Sequence, residues 1–261
     1  MKNSAPKTSS ADVSAPRPAK ATLRMLVLQQ INSWMLIPGL MFGLVLSAGI
    51  MLKLFSGRVP PEMMIDQTLS NGHNGLLTFI AASLGTLFSP LGGALLLGAV
   101  CLYLLIISRS PVNALGVGAI ASIGWLSAEI LKFLVARPRP DAALLADPLV
   151  TENGLDSFPS GYVSLGVGIA FALSYLAYKT SWWKPALLGG ILLVLALAWS
   201  RLYLGAHYPS DVLAAMINAS AFIFFFTGLW NRYTTKLIAR LRFLSVFGPP
   251  RTTKIRLTRA G

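Results

Sequence analysis

His207 and Asp211 stand four residues apart in the stretch Ser200-Arg201-Leu202-Tyr203-Leu204-Gly205-Ala206-His207-Tyr208-Pro209-Ser210-Asp211. A helix starting near Pro209 would set the carboxylate about one turn beyond the imidazole. A carboxylate so placed takes the hydrogen on one ring nitrogen and leaves the other free to attack or to shuttle a proton. The stretch lies between two apolar segments, each long enough to cross a bilayer. A cation, an imidazole and a carboxylate at the edge of hydrocarbon are costly unless paired, which marks them as a functional site by default. A helix end decorated with interfacial polar residues has the same composition. Alone, the stretch leaves both readings open.

Two further stretches carry compatible chemistry. Lys132 and Arg139 are seven apart, so a helix persisting through that interval would align them on one face, with Pro138 and Pro140 ending it. Arginine offers a planar fork matched to phosphate oxygens, and lysine a mobile point charge. Snorkelling explains one basic residue at a span end. It explains Lys132, Arg137, Arg139 and Arg201 together poorly, and an anionic ligand explains them well. The second stretch is Phe158-Pro159-Ser160-Gly161-Tyr162. Here a helix N-terminus would present free N–H groups, a serine hydroxyl and a glycine that lets an oxyanion approach. A plain N-cap accounts for Ser160 as well.

The elements that position these residues follow from hydropathy. Of the 261 residues, 54% are hydrophobic and 12% charged, far from an average soluble domain. The expected fold is all-α: an integral membrane protein of six transmembrane helices, with an interfacial helix before the second span. Residues 1–22 read as a disordered basic cytoplasmic tail, 23–230 as the six-span domain, and 231–261 as a basic interfacial or cytoplasmic tail. The spans are placed at about 34–52, 91–107, 112–136, 160–178, 185–200 and 209–230, with a helix over 76–88 that is interfacial or re-entrant. Residues 54–75, which hold His73, read as an external loop. His73 could in principle approach the site, and a surface histidine is the simpler expectation. No short apolar stretch with a cleavage site precedes the first span, so that span should act as the membrane signal. Cys101 reads as a buried structural thiol, and the glycines of spans two to five as helix-packing positions.

The net charge of +13 is concentrated in the tails. That distribution points to anionic lipid headgroups and away from nucleic acid. With both termini cytoplasmic, 16 of the 22 Lys and Arg lie on the cytoplasmic side. The 137–160 and 201–211 segments then share the outer face, which in a bacterium is the periplasmic face of the inner membrane.

Taken together, the three stretches resemble the membrane branch of the type-2 phosphatidic acid phosphatase superfamily. Its pattern is Lys, six residues, Arg-Pro; then Pro-Ser-Gly-His; then Ser-Arg, five residues, His, three residues, Asp. The chain reads Lys132–Arg139-Pro140, Pro159-Ser160-Gly161-Tyr162, and Ser200-Arg201–His207–Asp211. The resemblance implies that Lys132, Arg139, Ser160, Gly161 and Arg201 hold a phosphate. It further implies that His207 attacks phosphorus to give a phosphohistidine, with Asp211 orienting the ring and water completing hydrolysis without a metal or other cofactor. Tyr162 stands where the family has the histidine that protonates the leaving group, a phenol being a weaker acid than an imidazolium, and Tyr162 as a substitute catalytic proton donor, or another group in that role, is one expectation. A diphosphate substrate, whose leaving group is a lipid monophosphate, would need that help least. The expected activity is therefore a lipid phosphatase on the outer face, with undecaprenyl or another isoprenyl diphosphate as substrate. Phosphatidate or phosphatidylglycerophosphate hydrolysis, phosphotransfer to lipid A, and non-catalytic lipid binding or transport are the alternatives.

Overall fold

A computed structural model describes residues 25, 27–55, 60–150 and 154–240, without the side chains of 235–240. All regular structure among them is helical. The chain runs α1 (Leu36–Phe55), α2 (Met63–Asn71), α3 (Gly75–Leu87), α4 (Pro90–Leu102), α5 (Pro111–Val135), α6 (Gly161–Ala177), α7 (Trp183–Tyr203) and α8 (Pro209–Arg240). A π-helical turn over Tyr103–Ile107 extends α4, and a single 3₁₀ turn at Ala142–Leu144 lies in the α5–α6 connection. Five helices have the length and hydropathy to cross a bilayer: α1, α4 with its π turn, α5, α7 and α8. The sixth span is α6, also apolar and 17 residues long. At about 1.5 Å per residue it covers roughly 25 Å.

Helix α6 sits between α5 and α7, and glycines allow the approach. A Cβ on Gly168 would lie 2.7 Å from the Ala121 carbonyl oxygen, and one on Gly124 would lie 2.8 Å from the Gly168 Cα. Backbone meets backbone at this α5–α6 crossing, which is how small residues let helices pack in lipid. Gly190 of α7 does the same against Ala170 of α6. By contrast α1 and α4 leave Leu40, Leu44, Leu91 and Leu95 exposed, as faces turned toward acyl chains would be.

Several expectations change. Residues 54–75 are not all loop, because α2 occupies 63–71, the residues before it that are described being Pro60, Pro61 and Glu62. The helix foreseen at 76–88 is α3, with its Asn74 side chain accepting from the Leu77 N–H at the N-cap. It packs on α7, where Ser200 Oγ donates to the Ala81 carbonyl at 2.9 Å. Helix α7 runs on to Tyr203, which puts Arg201 inside its last turn. Helix α8 continues to Arg240, beyond the expected end at 230. The stretch before α1 folds against the bundle: Met25 is fully buried over Gly116, and Trp230 Nε1 donates to its carbonyl at 2.9 Å. Cys101 is partly exposed instead of buried. The tail expected at 1–22, and 241–261 of the one expected at 231–261, lie outside the described residues.

Candidate active site

Helix α5 ends sooner than the Lys132–Arg139 spacing suggested. Arg137 and Arg139 each precede a proline, which disfavours helical backbone at both positions. The last helical residue is Val135, and Ala136 caps it in the left-handed region at φ 50°. Lys132 therefore stays on the helix, and Arg139 reaches the site from the connection that follows. Lys132 Nζ pairs with Glu129 at 2.9 Å and lies 3.4 Å from where a Cβ on Gly161 would stand. That places the ammonium over the start of α6.

Arg139 is held as a fork. Its Nε and Nη2 each donate to Asp156 at 2.9 Å, and Nη1 donates to the Ala206 carbonyl at 3.2 Å. These hydrogen bonds hold the Asp156 carboxyl down at about 2. Arg201 is buried, donates from Nη2 to Ser200 Oγ at 2.9 Å, and stacks over the Tyr162 ring at 4.2 Å. Behind it stands Gly85 of α3, where a Cβ would come 2.5 Å from Nη2. Cation–π contact of this kind orients the guanidinium plane. Tyr162 is thus in the site beside a cation.

Ser160 occupies the N-cap position of α6 without making a side-chain cap bond. Its buried Oγ has no partner among the described residues, while its N–H donates to the Asp211 carbonyl at 3.2 Å. The capping alternative for its hydroxyl is not realised. An unpaired hydroxyl beside the free N–H groups of a helix start suits an anion.

His207 lies in the α7–α8 connection, where Gly205 adopts φ 68° and where a Cβ would also strike Leu145. The ring is 1% exposed. Its Nδ1 stands 2.8 Å from the Ser157 carbonyl oxygen. A carbonyl only accepts, so Nδ1 carries the hydrogen, and in the neutral ring Nε2 keeps the lone pair. Asp211 Oδ2 is 3.8 Å from Nδ1, within ion-pair range and beyond a hydrogen bond. Burial, with Arg139 and Arg201 nearby, pushes the imidazole below its ordinary pKa against the opposing pull of Asp211. The neutral, nucleophilic form is favoured.

Three contributors, Asp156, Ser157 and Glu62, were not singled out from the sequence, and a fourth, Arg137, takes another part than expected. Asp156 holds Arg139. Ser157 binds both His207 and Asp211, its Oγ donating to Asp211 Oδ2 at 2.5 Å. Arg137, grouped above with the anion-binding cations, is 1% exposed and bound by the chain's own carboxylates, Asp211 at 2.7 Å and Glu62. The available signal was charge matching: acids in two outer segments face surplus cations. Nothing local says which acid meets which arginine. His73 is engaged elsewhere, with Nδ1 at 3.0 Å from Asp147 and Nε2 at 2.7 Å from the Tyr203 carbonyl.

Residues 112–235, which contain all three motifs, match the PAP2 superfamily. Undecaprenyl-diphosphatase BcrC of Bacillus subtilis is 30% identical over 155 residues, spanning 59% of this chain and 76% of that protein. The chain belongs to the PAP2 superfamily. Another relative, a lipid A 1-phosphatase of Rhizobium etli, is 30% identical over 157 residues, which cover 54% of this chain and 60% of the relative. Among solved structures, a transmembrane PAP2 type phosphatidylglycerolphosphate phosphatase from Bacillus subtilis superposes with a TM-score of 0.60 at 19% identity. That likeness covers 78% of this chain and 98% of the other, and it bears on the fold alone. With its apolar helices, this PAP2 protein is an integral membrane protein. Every residue in the site is contributed by the matched segment except Glu62 and Gly85.

Proposed function

We propose that the chain hydrolyses a lipid phosphate or diphosphate on the outer membrane face through a phosphohistidine at His207. The observation that carries this reading is the commitment of Nδ1–H to the Ser157 carbonyl, which leaves Nε2 as a buried lone pair in a cationic setting. In the first step Nε2 attacks phosphorus, and the bond to the leaving oxygen breaks. Lys132, Arg139, Arg201, Ser160 Oγ and the N–H groups at Gly161 stabilise charge on the phosphoryl oxygens. Asp211 stabilises the ring as it becomes cationic. Water then displaces the imidazole and releases phosphate. The outward orientation rests on the concentration of Lys and Arg in the tails and cytoplasmic turns.

An isoprenyl diphosphate, undecaprenyl diphosphate above all, is the preferred substrate in this reading. Tyr162 supports it. The ring at the family's acid position stacks on Arg201, so the side chain there positions a cation where the family pattern has a proton donor. A lipid monophosphate leaves without strong acid assistance, whereas the alkoxide from a monoester such as phosphatidate does not. The relatives named for undecaprenyl diphosphate and lipid A support a phosphorylated lipid as substrate.

Incubating the purified protein with diphosphate labelled at the terminal phosphorus should give an acid-labile, base-stable phosphoryl group on His207. A turnover that never labels the protein, even after rapid quenching, refutes the covalent route. Hydrolysis should be faster on isoprenyl diphosphate than on phosphatidate, and Tyr162→His should raise the phosphatidate rate about 100-fold, the lower end of general-acid contributions. A wild-type protein faster on phosphatidate would overturn the diphosphate preference.

A further inference from the structure

Glu62, Arg137, Asp211, Ser157 and His207 form one continuous chain of contacts, buried except at Glu62, drawn from the approach to α2, the two ends of the α5–α6 connection, and the α7–α8 connection with the first turn of α8. Arg137, just past α5, lies under the Tyr208 ring at 4.3 Å and donates from Nη1 to Asp211 Oδ1 at 2.7 Å. Its Nη2 donates to Glu62, one residue before α2. Glu62 also accepts from the Ser210 N–H and Ser210 Oγ, both at 3.0 Å. The carboxylate thereby caps the start of α8 from another segment, where the helix dipole favours negative charge. Asp211, fully buried, accepts on Oδ2 from Ser157 Oγ at 2.5 Å and from the Tyr208 N–H at 2.9 Å. The Ser157 N–H in turn donates to the Arg137 carbonyl at 3.1 Å.

We infer that Glu62, Arg137 and Ser157 are positioning residues: Asp211 controls the His207 ring through Ser157, and Glu62 with Arg137 locks Asp211. Three hydrogen bonds fix the Asp211 carboxylate, and its oxygen is too far from Nδ1 to hold the ring directly. What does hold the ring is the Ser157 carbonyl. That carbonyl is aimed because the same residue is tethered at its hydroxyl by Asp211, at its N–H by Arg137, and by Phe158 next to it, which is buried against Gly49, Leu131 and Val135. Ser157 is therefore the joint between carboxylate and imidazole. Glu62 lies outside the 112–235 segment, so α2 and the residue before it belong functionally to the site.

The inference rests on the phosphohistidine reading for its consequence in rate, but its structural half is measurable without turnover. The chain has two histidines, so ring-labelled protein gives two ¹⁵N patterns, and His207→Ala assigns them. Wild-type His207 should show the neutral Nδ1–H tautomer alone. Ser157→Ala should give a mixture of tautomers, Ser157→Thr should restore the single form, and Glu62→Gln should shift it partway. In turnover, Ser157→Ala and Glu62→Gln should lower the rate of His207 phosphorylation about 10- to 100-fold, the scale of a misaligned attack. KM should stay within about twofold, because Lys132, Arg139, Ser160 and Arg201 are untouched. An unchanged tautomer in Ser157→Ala protein that melts at the wild-type temperature overturns the inference. If that variant does not fold, an unchanged tautomer and rate in Glu62→Gln overturn it equally. Tautomers that move in a protein that never phosphorylates would instead sink the proposed function and leave the positioning chain standing.

Discussion

His207→Ala should abolish turnover, by a factor on the order of 10⁴ or more as when other enzymes lose a nucleophile, and no phosphoryl group should be recoverable on the protein. Wild-type-like elution of the purified variant should show that the loss is chemical, since the ring's hydrogen bond is to a single backbone carbonyl. The measurement is quenched-flow labelling beside steady-state release of phosphate. Residual activity within 10-fold of wild type would remove His207 from the chemistry. Acidity gives a second handle. Burial first, then Arg139 and Arg201, lower the imidazole pKa, while Asp211 raises it. In the proposed reaction the basic form attacks, so activity should persist as pH falls below an ordinary imidazole pKa of about 6.5 and be lost at lower pH.

Gly168→Leu should prevent assembly of the bundle, read as the loss of a monodisperse peak after detergent extraction. Beyond the Cβ that would already meet the Ala121 carbonyl at 2.7 Å, leucine adds three carbons against backbone that has no rotamer to yield. Overpacking commonly costs about 1–3 kcal/mol, and contact with rigid backbone belongs at or above the top of that range. Gly39→Leu is the matched control. No atom of the described residues lies within 4 Å of a Cβ at Gly39, on the outer surface of α1, and the variant should extract and turn over as wild type. A folded, active Gly168→Leu protein would show that the α5–α6 crossing can open without disturbing Lys132 over Gly161.

What was legible beforehand was local. The apolar runs announced six spans, because a helix in lipid must be apolar along its own length. The family motifs were readable for the same reason. His207 and Asp211 lie on one turn and its approach, and Ser160-Gly161 opens a helix after Pro159, so sequence spacing maps onto spatial spacing. Where proline intervenes, that mapping fails. The seven-residue interval from Lys132 to Arg139 looked like two helical turns, yet the residues before Pro138 and Pro140 cannot stay helical, and Arg139 arrives from a different direction.

The pairings between distant segments were not legible. Helix α2 has nine residues, among them Asp66, Gln67, Thr68 and Ser70, too short and polar to predict from periodicity. Tertiary contacts hold it: Met63 packs with Leu145 and Tyr208, and Gln67 and Ser70 bond the 144–147 backbone. Asp66 is buried beside Glu62, Asp211 and Arg137, with its carboxyl pushed up to about 8 chiefly by desolvation. An external loop would have left it solvated and acidic.

By itself, then, the sequence determined the helical membrane class and the family motifs on which the proposed phosphate site and nucleophile rest, since each depends on neighbours along the chain. Tertiary structure alone decided that Arg137 is neutralised internally by acids 74 and 75 residues away, and that Ser157 joins Asp211 to His207. Charge complementarity permits many pairings in a chain with nine acids and 22 bases. Only the close crossing of α5 and α6, and the seating of Glu62 and Met63 against the α7–α8 connection and the first turn of α8, selects the ones that form.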